Sequence, residues 1–153
     1  MERDEFSRRV RAMTDRLYRI TYGQLRDPQD RMDAVQNALL KAWSARHRLR
    51  EPAYFETWLI RILINECHNI QRRRPFMPLD ELPECPAKPD DSNSDVRDAI
   101  LRLPEKQRMV IILHYMEGYK TAEIAKILRV SEETVRTRLK RARAALKTLL
   151  AEP

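Results

Sequence analysis

The chain has 153 residues, with 30 Lys+Arg against 23 Asp+Glu and a formal net charge of +7. That length holds one ordinary domain or two small ones, which excludes a large catalytic barrel or a repeat array. Only two glycines occur, Gly23 and Gly118, so no glycine-rich loop can cradle a phosphate, and kinase, P-loop and dinucleotide-binding readings fall at once.

The positive balance favours a polyanionic partner, either nucleic acid or an anionic membrane face. No run of about 18 apolar residues is present, so membrane insertion is not expected. The opening stretch MERDEFSRRVRAM lacks the apolar core of a secretory signal. Cys67 and Cys85 make neither a disulfide framework nor a paired metal motif, which points to a reducing cytoplasm.

Phe6, Val10, Met13, Leu17 and Ile20 recur at helical spacing and predict a first amphipathic helix. Asp27-Pro28 reads as an N-cap followed by proline at the first helical position. The second stripe is Met32, Val35, Leu39, Ala42 and Trp43. A basic, irregular connection runs from Arg46 to Pro52. Phe55, Leu59, Ile62, Leu63, Cys67 and Ile70 then form a third helix, which frays at Arg72-Arg73-Arg74 before Pro75. Residues 1–74, with 16 basic and ten acidic side chains, thus read as an all-α domain.

Residues 75–94 hold five of the nine prolines, five acids and one lysine. Proline fixes φ and removes amide donors, so this stretch reads as an extended acidic linker. Residues 95–153 are basic again, with 13 basic and eight acidic side chains. Ser94 is placed to cap a helix carrying Val96, Ile100 and Leu103. Pro104 opens another with Met109, Val110, Ile112 and Leu113 inside, and Gly118 stops it. Thr121–Leu128 is a short helix with Ile124, Ala125 and Leu128 inward, and Arg129-Val130-Ser131 makes a tight turn. A long helix from Glu132 to about Leu150 follows, with Val135, Leu139, Ala142, Leu146 and Leu149 inward. Two helices joined by about three residues, the second strongly basic, form a helix-turn-helix.

At 100° per residue that last helix is apolar on one side and polar on the other. Ser131 is positioned to cap it, and Glu132 and Glu133 suit the positive end of its dipole. A major groove about 12 Å wide admits such a helix. Glu133, Arg136, Thr137 and Lys140 are therefore candidates to face bases and Arg141, Arg143 and Lys147 to lie closer to phosphates, with Ser131 and Thr134 completing the DNA-binding set. Taken alone, the basic face would more simply be a solvated surface; the preceding helix and turn make DNA binding the better reading. A left-handed residue is commonly needed at position 129, where Arg costs up to ~1–2 kcal/mol relative to glycine.

The whole arrangement resembles the extracytoplasmic-function (ECF) group of bacterial RNA polymerase sigma factors. The resemblance is carried by Asp33-Ala-Val-Gln-Asn-Ala-Leu-Leu-Lys-Ala-Trp43 and Phe55-Glu-Thr-Trp-Leu-Ile-Arg-Ile-Leu-Ile-Asn65 in the first domain. In the second it rests on Leu103–Leu113, Tyr119–Leu128 and Val130–Arg143. It implies a non-enzymatic transcription initiation factor that uses no cofactor. Its partners would be core RNA polymerase, through both large subunits, and promoter DNA, and the family often has an anti-sigma factor as well. Asp33, Gln36, Asn37, Leu40 and Trp43 fall in the family's polymerase-binding segment. Ala34 and Asn37 stand where the family usually has leucine and an acid, which implies a differently tuned contact. Trp43 serves equally well as core.

The resemblance also assigns Arg46, Arg48, Arg50, Tyr54, Trp58, Arg61, Asn65, His68 and Asn69 to reading the −10 element and opening the strands. Opening costs roughly 1.4 kcal/mol of stacking per step. An aromatic platform recovers ~1–3 kcal/mol per stacked base, and Tyr54 and Trp58 are the candidates for it, with Phe55 in the core. The second domain, through the set from Ser131 to Lys147, would read the −35 element.

No constellation for an enzyme is found. A zinc site from Cys67, His68 and Cys85 lacks a fourth ligand, and a serine recombinase needs an α/β domain that is missing here. The main alternative is a polymerase-independent helix-turn-helix regulator, which would bind a palindromic duplex as a dimer.

Overall fold

The computed structural model describes residues 1–73 and 94–151, and all regular structure among them is helical. Helix α1 is Arg3–Tyr22, α2 is Pro28–Ala45 and α3 is Phe55–Arg73. Helix α4 is Ser94–Arg102, α5 is Glu105–Ile111, α6 is Thr121–Leu128 and α7 is Glu132–Ala151. Two 3₁₀ turns, Arg46–Arg48 and Pro52–Tyr54, fill the basic connection, and α5 widens into a π-helical turn over Ile112–Met116. Of the expected linker, residues 75–94, all but the last lie outside the described residues, as does the side chain expected to cap α4, that of Ser94.

Local chemistry explains the boundaries. The Gln29 amide donates to Asp27 Oδ1 at 2.8 Å, with Pro28 filling a position whose amide would have had no partner. Gly118 ends the α5 segment at φ +78°, a conformation that disfavours other residues. The Lys120 amide donates to the Glu123 carboxylate at 3.0 Å and so closes the first turn of α6. Arg129 does occupy the left-handed region, φ 57° and ψ 46°, and so carries the expected strain. Ser131 Oγ accepts from the Thr134 amide at 3.1 Å and caps α7.

The apolar stripes bury largely as their spacing predicts, with instructive exceptions. Met32 is 44% exposed, and α2 instead buries Ala34, Val35, Ala38 and Ala42, because small residues let α1 and α3 approach closely. Val96 is also turned outward, while Arg97 is buried beside it. In α6 the deep residues are Ile124 and Ile127, and Leu128 is only half-buried.

The two helical groups do not stand apart on a tether. They share one continuous hydrophobic core. The cause lies in α3, which buries Ile60 and Ile64 beyond its predicted stripe and lies against α6. Gly23 sits at the junction, where an added Cβ would lie 2.5 Å from Ile112 Cδ1. Polar groups close the seam. Arg108 Nε donates to Gln24 Oε1 at 3.2 Å, and Arg97 Nε donates to the Tyr22 carbonyl at 3.0 Å with its guanidinium over the Tyr22 ring. Buried Glu117 accepts from Arg19 at 3.0 Å. The Tyr119 hydroxyl donates to Glu56 at 2.6 Å and accepts from Arg16 at 2.9 Å. Burial, reinforced by the bond to Glu56, pushes that hydroxyl well above its usual pKa.

Candidate nucleic-acid interface

The helix-turn-helix is α6, the turn at Arg129, and α7. Val135, Leu139 and Ala142 anchor α7 in the core, so rotation about its axis is set. That setting leaves Glu133, Arg136, Thr137, Lys140, Arg141, Arg143 and Lys147 exposed on one side, with capping Ser131 at the start. Thr134 is half-buried, its hydroxyl 2.8 Å from Ser131 Oγ, so its first task is the cap. Thr121 Oγ1 donates to Glu132 at 2.8 Å and ties the N-termini of α6 and α7 together. Arg136 Nη2 reaches back to Glu132 at 2.7 Å, an exposed pair one turn apart that is cheap to exchange for another acceptor. Arg143 Nη1 donates to the Tyr115 hydroxyl at 2.9 Å. An open groove of about 700 Å³ runs beside this face, between α7 and the start of α5, and is lined by Glu133, Thr137, Arg138 and Arg141 among others. Arg138 was missed from sequence because it falls on the flank of the apolar stripe.

The candidates from Arg46 to Asn69 are split by the structure. Arg48, Arg50, Tyr54 and Asn65 are exposed, Tyr54 at 57%. Arg46 is held with its guanidinium 3.6 Å from the Trp43 ring centroid and donates to the Trp43 carbonyl at 2.8 Å. Trp58 is half-buried, 5.9 Å from the buried Phe55 ring. Asn69 is half-buried too. Arg61 is engaged: it donates to the Lys126 carbonyl at 2.6 Å and to the Ile127 carbonyl at 3.1 Å, at the end of α6. His68 Nε2 lies 2.7 Å from Glu105 Oε1 of α5. These two side chains therefore hold the last four helices against α3.

A third surface lies on α2. Leu40 is 67% exposed, flanked by exposed Gln36 and half-buried Asn37 and Asp33, with Asp33 accepting from Gln29 Nε2 at 3.0 Å. Met32, expected inside, joins this open apolar surface. Trp43 belongs to the core edge, packed edge-on against Phe6 at 5.2 Å. Cys67 is fully buried, and burial pushes its thiol up to about 12, which makes it an inert apolar group.

Residues 9–75 match the family described as Sigma-70 region 2, and residues 94–146 match Sigma-70, region 4. The ECF RNA polymerase sigma factor SigM of Mycobacterium tuberculosis is 35% identical over 152 residues, 96% of this chain and 76% of that protein. The chain belongs to the ECF RNA polymerase sigma factors. SigW of Bacillus subtilis, also an ECF sigma factor, is 28% identical over 99% of this chain and 91% of its own length. Among solved structures, the sigma factor RpoE in complex with the anti-sigma factor NepR, from Bartonella quintana, superposes with a TM-score of 0.78 at 24% identity, over 95% of this chain and 96% of that one. CnrH in complex with the cytosolic domain of CnrY superposes with a TM-score of 0.77 at 26% identity, over 97% and 89%. Sigma factors bind core RNA polymerase and promoter DNA and are transcription factors rather than enzymes. Among the described residues of this sigma factor, no helix is long and apolar enough to cross a membrane.

Proposed function

We propose that this ECF sigma factor joins core RNA polymerase through the exposed face of α2, reads the −35 element with α7, and reads and opens the −10 element with α3 and the turns before it. The proposed division is 1–74 for polymerase and −10 binding, 75–94 as linker, and 95–153 for −35 binding. The observation that carries the reading is the one-sidedness of α7. Its apolar stripe is buried while Glu133, Arg136, Thr137 and Lys140 stay in solvent on a rigidly set helix. A bidentate side chain on such a helix distinguishes bases in the major groove by ~1–3 kcal/mol each.

The closed arrangement adds a step. The α2 and α7 faces are open, whereas Arg61 and His68 are occupied by the last four helices. Loading onto polymerase and duplex recognition therefore need no separation of α6 from α3. Strand opening requires α6 to leave α3, after which Arg61 exchanges two carbonyls for phosphates and Tyr54 with Trp58 receives unstacked bases. Two solved structures of similar fold are of complexes with the anti-sigma factor NepR and with the cytosolic domain of CnrY. An anti-sigma partner is proposed for this chain on that basis.

Footprinting and permanganate reactivity on a cognate promoter test the assignment. Arg136→Ala and Lys140→Ala should weaken upstream protection, whereas Trp58→Ala should leave the promoter bound and reduce permanganate-reactive thymines. Identical defects from all three changes would contradict the division of labour.

A further inference from the structure

The seam between the two helical groups holds a half-open pocket of about 320 Å³, at the small end of ligand-sized pockets, roughly 300–1,000 Å³. Its walls come from α3, α5, α6, the helix-turn-helix turn and α7. Four cationic side chains line it, Arg61, Lys106, Arg129 and Arg138, together with His68. The one acid among the described lining residues is Glu105, whose Oε1 lies 2.7 Å from His68 Nε2. No carboxylate among the described residues pairs with Lys106, Arg129 or Arg138. Between the cations lies an apolar surface that includes Met109, Leu128 and Val130.

Two further observations show that positive charge is concentrated here against local cost. Arg129 holds a left-handed conformation in which glycine would be unstrained, and its guanidinium adds to a crowded like-charge environment. Arg61 shows the consequence: burial first, and repulsion from Arg129 second, lower its proton affinity. A pocket with cations on its rim, apolar side chains between them and Glu105 as the single carboxylate among its described lining residues carries a net positive charge and is complementary to an organic phosphate. A neutral ligand would leave the repulsion in place, and a bare inorganic anion would leave the apolar surface wet.

We infer that the seam pocket is a binding site for a phosphorylated organic anion that carries an apolar or aromatic group. Because both helical groups supply its walls, the ligand binds the closed molecule and not the opened one. Occupancy therefore opposes the separation of α6 from α3. At ligand concentrations ten times the dissociation constant, the opened population falls about elevenfold.

Isothermal titration of the full chain with ADP, adenosine and inorganic pyrophosphate tests this. ADP should bind one per chain, pyrophosphate at least tenfold more weakly, and adenosine without measurable heat. Arg129→Gly relieves the backbone strain, so it retains the fold, and it should weaken ADP binding at least tenfold; Arg138→Gln should do the same. Arg136→Ala and Lys140→Ala, on the outer face of α7, should change it less than twofold. Absence of ADP binding to folded protein would overturn the inference. Equal losses from all four variants would overturn it too, by showing diffuse attraction to a basic surface. Transcription by the same preparations with core polymerase is an independent readout, so a failure here is distinguishable from a failure of the sigma-factor assignment.

Discussion

Arg136 and Arg61 show how far a single side chain can be read. The partner of Arg136 is an exposed glutamate one turn away. Such a pair contributes little, ~0–1 kcal/mol, and yields easily to a DNA acceptor. Arg136→Ala should therefore leave thermal stability nearly unchanged while costing ~1–3 kcal/mol in binding a −35 duplex. Fluorescence anisotropy at two salt concentrations checks this. A base contact lowers affinity with an unchanged salt slope, whereas a phosphate contact such as that proposed for Lys147 reduces the slope by about one. The polar face of α7 was legible because helical periodicity alone sorts inward from outward residues. The engagement of Arg61 was not, because its acceptors are carbonyls of residues 65 and 66 positions away. Spacing along one helix carries no information on such a distant partner. Met32 and Val96 lie outside for a related reason: apolar type alone does not decide burial, and small Ala34 and Ala38 and the buried Arg97 fill those interfaces.

At the scale of elements, the α6-turn-α7 unit concentrates the local chemistry. Asp27-Pro28, Gly118, the turn at Arg129 and capping Ser131 were all readable, since each signal acts within a few residues. The burial of Ile112 and Leu113 was readable from spacing, whereas the π-helical turn at Ile112–Met116 that holds them was not, because no signal within a few residues marks it. Ser131→Ala should destabilise the fold by about 1 kcal/mol. Its effect on −35 affinity should be larger than stability alone explains, because the first turn of α7 carries the base-facing side chains. Comparing melting temperature with duplex affinity separates the two. Equal insensitivity of both would show that the cap is not needed to hold the face in register.

For the whole molecule, the shared core was the feature least legible from sequence, since charge blocks and prolines suggested two independent bodies. Gly23 is its most sensitive point. Gly23→Val forces a side chain into the space of Ile112 and should cost ~1–3 kcal/mol of overpacking, borne by the seam. Cys67 reports on that seam: it is buried beside Arg108 and Glu105 of α5, and burial pushes its thiol up to about 12. In a Cys85→Ser background, Cys67 should resist thiol reagents in the free protein and react at least tenfold faster after Gly23→Val or in the strand-opened promoter complex with polymerase. Unchanged protection in both cases would mean that the seam does not open. The central proposal is that this chain confers promoter choice on polymerase. Transcription of a genomic template library by active core enzyme, with and without the protein, followed by mapping of start sites, measures this directly. The account predicts a restricted set of discrete starts that appears only when the protein is added; the same starts in both reactions would contradict it.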